Sequence, residues 1–357
     1  MMDFHIIMLN EIFILIIFIV LVFTYRWAFH ALPDEKWQII GCLPDRKLSN
    51  GYWQGWNLTW YGFFIATGMA FAVSIFIILM GALSMPVVHM TLILIFLFLI
   101  GLKASRIIAW MTEKKKNTAT VGGASFLGIM IAPWILFLAG QAGGSLFNLH
   151  ISVIAALSAM SIAYAFGEGT GRLACISFGC CYGKPVKDVS PHFQKFFHRY
   201  HFIFTGKTKK IAYAHSWDGQ KVIPVQAMTA MIYGAAGLTG CYLFLNGFVN
   251  MAFILTLTVT QVWRFFSEFL RADYRGSGKI SAYQVMALIS AFYGLLMGYV
   301  FYEDLPHQPD LMQGFLKFWN PAVILLLIAL WAFTFFYTGK SKVTASLIDI
   351  HVKEEKT

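Results

Sequence analysis

Long apolar runs alternate with short polar loops along almost the whole chain. A helix needs about 20 residues to cross the hydrocarbon core of a bilayer. Nine runs are long enough, and they lie near residues 5–25, 59–82, 89–111, 122–142, 148–167, 223–246, 248–270, 282–302 and 318–338. A polar segment at roughly 184–222, rich in Lys, His and Tyr, separates the fifth run from the sixth and predicts a small head insert at the membrane surface. We therefore expect an all-α integral membrane protein with about nine transmembrane helices.

The composition excludes an ordinary soluble domain. Hydrophobic residues make up 58% of the 357 residues and charged residues only 12%, against about 25% charged residues in soluble domains. The net charge of +10 does not indicate a nucleic-acid partner, because the basic residues lie in short loops where they set topology and contact lipid headgroups. The first run has no basic segment before it, so we expect a retained anchor and not a cleaved signal peptide.

Most basic residues lie on one face of the predicted bundle. Of the 27 Lys and Arg residues, 22 fall in loops or tails that follow odd-numbered runs, and Lys317 alone falls on the other face. The positive-inside rule assigns the crowded face to the cytoplasm. It therefore places the N-terminus outside and the C-terminus inside.

Charged residues inside apolar runs indicate a functional site, because burying them is costly. Seven lie in or next to the runs and towards the basic face: Lys103, Arg106, Glu168, Arg172, Arg264, Glu268 and Arg271. Five cations against two acids predict an excess of about three positive charges, which favours an anion such as a phospholipid phosphate. Gly122–Gly123 and Gly169–Gly171 would let backbone N–H groups approach the same oxygens. In the alternative interpretation, these side chains only pair with one another or extend to the headgroups.

The five cysteines (Cys42, Cys175, Cys180, Cys181 and Cys241) follow no regular spacing, and free buried thiols are the favoured interpretation. Adjacent Cys180 and Cys181 do not form a CxxC pair and have no His at metal spacing. We therefore expect no metal and no cofactor. A membrane thiol oxidoreductase would need the missing CxxC pair.

Four motifs resemble the prolipoprotein diacylglyceryl transferase family. Gly171-Arg172-Leu-Ala-Cys175-Ile-Ser-Phe-Gly179-Cys180-Cys181-Tyr182-Gly183 is similar to the family signature. The other motifs are Trp60-Tyr61-Gly62, Pro224-Val-Gln226, and Arg264-Phe-Phe-Ser-Glu268-Phe-Leu-Arg271-Ala-Asp273 with the downstream Tyr283-Gln284. The resemblance covers about residues 57–302 as a seven-span core. It leaves an extra span and loop in 1–56, an extra span in 303–338 and a polar tail in 339–357.

The resemblance implies transfer of a diacylglyceryl group from phosphatidylglycerol, or a related anionic phospholipid, to a cysteine thiol of a lipoprotein precursor, with glycerol phosphate as the leaving group. Arg172 and Arg264 would bind the phosphate from two sides. Glu268 would orient Arg264 or remove a proton, and Tyr61 would form a hydrogen bond to the lipid headgroup. The expected substrate-binding residues are Arg106, Gly123, Ser125, Cys175, Gly179, Cys180, Cys181, Gly183, Gln226, Arg271 and Gln284.

The chain also departs from the family pattern. Gly123 occupies the position of the family histidine, Cys175 and Phe178 those of asparagines, and Cys180 that of a glutamate. The family site faces outward, whereas the charge count places this one in the cytoplasm. We therefore predict a paralogue in the bacterial cytoplasmic membrane with an inverted or altered site, whose acceptor is a small cytoplasmic nucleophile or, by family default, a lipoprotein precursor. A lipid or anion transporter and a non-catalytic phospholipid-binding paralogue are the alternatives.

Overall fold

The computed structural model describes residues 2–113, 121–147, 152–273 and 280–350, without the side chains of some residues in these ranges, Arg106 among them. The helices in these ranges are α1 (Met2–Ala31), α2 (Trp60–Ala82), α3 (Val87–Glu113), α4 (Val121–Phe147), α5 (Val153–Phe178), α6 (Pro191–Phe197), α7 (Lys210–His215), α8 (Val225–Leu245), α9 (Val249–Leu270), α10 (Ala282–Val300), α11 (Leu311–Phe318) and α12 (Pro321–Gly339).

Long apolar helices dominate the fold, which confirms the predicted all-α membrane class. Among the described residues, 8 helices have the length and hydropathy of membrane spans, namely α1, α2, α4, α5, α8, α9, α10 and α12. Helix α3 lies where the remaining span was predicted. The short helices α6 and α7 belong to the polar insert, and α11 precedes α12.

Helix α5 lies at the centre of the bundle and packs against α2, α8 and α9. Small residues allow this packing: a Cβ on Gly68 of α2 would lie 2.8 Å from the carbonyl oxygen of Gly167 and 3.2 Å from the amide nitrogen of Gly171. The expectation that Gly169–Gly171 approaches an anion through its backbone is therefore wrong, because these residues are inside a helix whose amides bond within it. They serve close contact between helices.

Five strands accompany the helices: β1 (Ile39–Lys47), β2 (Trp53–Thr59), β3 (Phe202–Ile203), β4 (Lys221–Val222) and β5 (Lys340–Ile348). An antiparallel sheet in the order β1-β2-β5 joins the segment after α1 to the segment after α12, with Asn57 opposite Ser341. Residues 340–348, predicted as part of a polar tail, are thus a sheet strand. Strands β3 and β4 pair inside the insert.

The polar insert is bound to the end of α1. The side chain of Gln38 donates to the carbonyl of Thr208 at 2.6 Å, and Glu35 accepts from the backbone N–H of Thr208 at 2.8 Å. Nζ of Lys209 donates to the carbonyl oxygens of Leu32 at 2.9 Å and Ser177 at 2.5 Å. Burial lowers the pKa of Lys209 to about 7, although the acids Asp34 and Glu35 act in the opposite direction.

Candidate active site

The first half of the predicted signature is helical. Helix α5 runs beyond the predicted end of its span at 167 and ends at Phe178. Gly179 follows with a left-handed φ of 68° and donates to the carbonyl of Ile176 at 3.1 Å, while the next amide, that of Cys180, returns to the carbonyl of Cys175 at 3.0 Å. This pair of bonds is a Schellman cap, which glycine favours because it has no Cβ. Cys181 also has a positive φ of 56°.

The second half of the signature joins the end of α9. The amide of Lys184 donates to the carbonyl of Leu270 at 2.9 Å, and the amide of Ala272 donates to the carbonyl of Tyr182 at 3.1 Å. A Cβ on Gly183 would lie 2.7 Å from the Cβ of Ile223. Gly183 therefore allows the chain to pass close to the segment before α8, and it fixes the end of α9 beside the end of α5.

A polar pocket forms between α5, α8 and α9. Its walls hold Arg172, Cys181, Val225, Gln226, Thr229, Tyr233, Arg264, Ser267, Glu268 and Arg271. The four charged residues come from α5 and from α9 and its end. The pocket therefore holds four of the seven charged residues that the sequence singles out, namely Arg172, Arg264, Glu268 and Arg271.

Each of two pocket arginines is neutralised by carboxylates. Arg172 forms an ion pair with Glu168, one turn earlier on α5. Arg271 donates from Nε and Nη2 to the two carboxylate oxygens of Asp273, both at 2.7 Å, and lies 3.7 Å from Glu268. Such two-point contacts between guanidinium and carboxylate are strong and directional.

The predicted excess of positive charge is therefore wrong for this pocket. Its three arginines have three carboxylates around them, because Asp273 beyond the end of α9 adds an acid that the sequence count left out. Lys103 is exposed, and the side chain of Arg106 lies outside the described residues. Any affinity for an anion must come from particular unsatisfied donors.

Arg264 has neutral hydrogen-bond partners among the described residues. Its Nη1 donates to the hydroxyl of Tyr164 at 3.1 Å and to Oγ of Ser125 at 3.5 Å. An added Cβ on Gly122 would collide with its guanidinium. Gly122 and Ser125 of α4 thus pack around Arg264, and Gly123 beside them is buried. Ser125 was predicted as a site residue from the sequence, whereas Tyr164 carries no motif signal and was not.

Two buried polar atoms of pocket residues have no hydrogen-bond partner among the described residues, namely Nε of Arg172 and Oε1 of Gln226. The amide nitrogen of Gln226 donates to the carbonyl of Cys180 at 2.8 Å, so the orientation of this side chain is fixed. Buried polar atoms normally have partners. The pocket therefore suits a ligand that offers both an acceptor and a donor.

Tyr61 and Gln284 support the site from its edges. The half-buried ring of Tyr61 packs edge-on against Phe178 at the end of α5, with 5.6 Å between ring centroids. Gln284 closes a capping box with Ser281 at the start of α10, and its amide donates to the carbonyl of Phe265 at 3.2 Å. The structure thus gives Gln284 a role in joining α10 to α9.

An apolar cavity of about 170 Å³ lies beside the hydrogen-bond partners of Arg264. Helices α4, α5, α9 and α10 line it with residues that include Ile129, Leu157, Phe253 and Met297. Ser125 and Tyr164, the two hydrogen-bond partners of Arg264, also belong to its wall. Arg264 thus lines the polar pocket, and its two hydrogen-bond partners line the apolar cavity.

The thiols of Cys175, Cys180 and Cys181 meet at the end of α5 and form a thiol cluster. Their sulfur atoms all lie within 4.8 Å of one another, and none of the three forms a disulfide. Hydrogen bonds from the other two thiols hold the pKa of Cys181 well below its usual range, and Arg271 and Arg172 act in the same direction. The sequence gives no signal for this cluster beyond the adjacent pair Cys180 and Cys181, because Cys175 joins them only through the turn at Gly179.

These observations define a multi-pass membrane protein with partly buried arginines and a buried acid around a polar pocket at one end of its helices. The chain belongs to the prolipoprotein diacylglyceryl transferase family, whose model matches residues 52–300. This match confirms the predicted resemblance, and it identifies a membrane transferase of lipoprotein biosynthesis. Comparisons with individual curated proteins and with solved structures give no match.

Proposed function

We propose that the protein transfers a diacylglyceryl group from phosphatidylglycerol, or a related anionic phospholipid, to a thiol acceptor. The observation that carries this proposal is that Arg264 lines the polar pocket while its hydrogen-bond partners Ser125 and Tyr164 line the apolar cavity. A phospholipid has a charged phosphate joined to apolar chains, and these two environments match its two parts.

The donor phosphate would bind between Arg172 and Arg264. Nε of Arg172 is a buried donor without a partner among the described residues, and a phosphate oxygen would satisfy it. Arg264 can exchange its bonds to neutral hydroxyls for stronger bonds to a charged oxygen. An acyl chain of the same lipid would enter the cavity beyond Ser125 and Tyr164.

The reaction needs a deprotonated nucleophile and a stabilised leaving group. The acceptor sulfur forms a bond to the glyceryl carbon, the bond from that carbon to the phosphate oxygen breaks, and the electron pair leaves on the phosphate. Arg172 and Arg264 would stabilise the developing negative charge, as preorganised donors do in transition states. Glu268, a buried carboxylate in the pocket wall, is the proposed proton acceptor, because Gly123 occupies the position of the family histidine.

The acceptor is a lipoprotein-precursor cysteine by family default, and a small nucleophile from the cytoplasm is the second candidate. The second candidate follows from the concentration of basic residues at the end of the bundle that holds the site. Both acceptors would present a thiol or a comparable nucleophile to the same pocket.

The test combines purified full-length protein with phosphatidylglycerol in nanodiscs and a cysteine peptide or a small thiol. Mass spectrometry of lipids and water-soluble products should show glycerol phosphate and an acceptor heavier by one diacylglyceryl group. Glu268→Gln should lose turnover and still fold, since Asp273 continues to neutralise Arg271. Intact lipid with every acceptor would favour a non-catalytic lipid-binding protein, and movement of intact lipid between leaflets would favour a transporter.

A further inference from the structure

The thiol cluster has the dimensions of a metal site. Its three sulfur atoms lie within 4.8 Å of one another. Three thiolates bound to one tetrahedral zinc ion at about 2.3 Å are about 3.8 Å apart. Side-chain movements of about 1 Å or less would therefore bring all three sulfurs into contact with a single ion.

The backbone holds the three ligands together. Cys175 lies in the last turn of α5, and the Schellman cap at Gly179 turns the chain back so that the amide of Cys180 bonds the carbonyl of Cys175. The positive φ of Cys181, a conformation that L residues rarely adopt, redirects the chain once more. The side chain of Gln226 fixes this turn through the carbonyl of Cys180. The cluster is thus built by the fold.

The ligand set indicates which ion would bind. Thiolates are soft ligands that select Zn²⁺ and Cu⁺ over Mg²⁺ and Ca²⁺. Structural zinc sites have four protein ligands, whereas catalytic zinc sites have three and leave one position open. Cys175 and Cys180 are buried, with exposed fractions of 8% each, while Cys181 is half-buried and lines the polar pocket. We infer that Cys175, Cys180 and Cys181 bind one Zn²⁺ ion whose fourth coordination position opens towards the polar pocket.

Guanidinium groups lie beside this site. One Zn²⁺ ion with three thiolates carries a net charge of −1, which costs free energy in a buried location unless polar or charged groups stabilise it. Arg172 and Arg271 line the same pocket as Cys181. Because both are also paired with carboxylates, they stabilise the loaded cluster by proximity and without an excess of positive charge.

The open position gives the ion a role that rests on the proposed transfer reaction. An acceptor thiol that coordinates the ion is deprotonated, and its proton passes to the carboxylate of Glu268 in the pocket wall. The bound thiolate then attacks the glyceryl carbon, and the phosphate departs with the electron pair of the broken carbon–oxygen bond. The ion would thus lower the pKa of the acceptor thiol. It would supply the help with deprotonation that a histidine at the position of Gly123 would otherwise give.

Metal binding is tested on full-length protein that is purified in detergent, stripped with a chelator and titrated with Zn²⁺ or Co²⁺. Elemental analysis should give one ion per chain, and Co²⁺ should produce the intense absorption of a thiolate-to-metal charge transfer. Cys181→Ser should weaken binding more than ~100-fold, since changes outside the ligand shell alone cost ~10–100-fold. Cys241→Ser and Cys42→Ser are matched controls outside the cluster and should bind as the wild type does.

A measurement on the wild type avoids any effect of substitution on folding. Zn²⁺ should slow the alkylation of Cys181 by N-ethylmaleimide, as followed by mass spectrometry, and leave the rate at Cys42 unchanged. Substoichiometric Zn²⁺ and Co²⁺ binding, equal binding by Cys181→Ser, or an unchanged alkylation rate would overturn the metal site. A disulfide within the cluster in protein purified without reductant would overturn it as well.

The same preparations separate this inference from the proposed function. Stoichiometric zinc binding without any lipid transfer refutes the transferase proposal and leaves the metal site standing. Transfer at an unchanged rate by metal-free protein refutes the role of the ion in transfer. A rate that falls after metal removal and returns with Zn²⁺ supports both.

Discussion

Arg172 combines a fixed orientation with an unsatisfied donor. Its pairing with Glu168 across one turn of α5 holds the guanidinium plane, while Nε has no partner among the described residues. A lysine at this position would keep the positive charge but lose the planar fork that binds two phosphate oxygens at once. The geometry of the donor, beyond its charge, should therefore decide the rate.

We predict that Arg172→Lys lowers kcat by about 10²–10³, the effect of removing one preorganised donor from a transition state. Release of glycerol phosphate from phosphatidylglycerol measures the rate. Arg46→Lys is the control, because Arg46 lies in the exposed strand β1 and donates only to Gln54 among the described contacts. A wild-type rate in Arg172→Lys would remove this residue from the site.

The lowered pKa of buried Lys209 should make the stability of the folded protein depend on pH. Its pKa is about 7 in the folded protein and about 10.4 in an unfolded chain, so the unfolded state binds more protons between these values. The free energy of unfolding should therefore rise with pH from about 7 to about 10, by up to about 1.4 kcal/mol per pH unit. Thermal unfolding at pH 7, 8 and 9 measures this slope, and Lys209→Met should lose it. Equal slopes in both proteins would contradict the neutral buried lysine.

At the level of helices, α12 depends on a backbone contact with α2. A Cβ on Gly62 would collide with the backbone of Gly339 at the end of α12, and it would lie 3.0 Å from the carbonyl oxygen of Phe335. Next to it, the hydroxyl of Thr59, which caps α2, donates to the carbonyl of Gly339 at 2.9 Å. The two helices can meet here because neither has a side chain at the crossing.

Gly62→Ala should destabilise the protein by about 1–3 kcal/mol, the usual cost of overpacking a tight contact. Gly128→Ala is the matched control: Gly128 also lies inside a membrane helix, but a Cβ there meets no atom within 4 Å. Thermal unfolding in detergent compares the two variants. Similar melting temperatures would show that the contact between α2 and α12 can relax at little cost.

The pattern of apolar runs predicted the long helices well, because length and hydropathy decide whether a helix spans a membrane. It ended the fifth span too early, at 167, because Glu168 and the glycines after it resemble a loop. In the structure these residues are helical, and the glycines allow α2 to pack closely against α5. The pattern missed the pairing of β2 with β5 because these two strands are far apart in sequence, as Asn57 and Ser341 show. Pairing over such a separation leaves no local signal.

The candidate site was predictable only where its contacts are local. The pairing of Glu168 with Arg172 follows from helical spacing. The hydrogen bond from Arg264 to Tyr164 joins α9 to α5, and no spacing rule predicts it. The thiol cluster arises from the left-handed Gly179 and from the return of the chain over the helix end. Contacts of this kind depend on turns and on helix packing.

For the whole molecule, the segments at one end of the helices are bound together. The insert contacts the end of α1, and β5 after α12 pairs with β2 before α2. Most basic residues also lie in these segments. The assignment of this end to the cytoplasm stays a prediction from the positive-inside rule.

If this end of the helices is cytoplasmic, a phosphatase fused after residue 357 should be inactive, and a fluorescent protein fused at the same place should be bright. A phosphatase inserted into the loop between α10 and α11 is the control on the opposite face, and it should be active. Phosphatase activity of the C-terminal fusion would place the pocket outside, where exported precursors arrive. The small cytoplasmic acceptor would then be excluded.

The sheet that joins β1, β2 and β5 also sets an order for biogenesis. Ribosomes make the chain from the N-terminus, so β2 emerges before most of the helices, and its partner β5 emerges after all the described ones. Until translation reaches β5, one edge of β2 is open and Thr59 has no Gly339 to bind. Because α2 begins directly after Thr59, the region around Tyr61 reaches its final arrangement only after β5 has been made. Membrane insertion of the earlier helices therefore precedes completion of this side of the site.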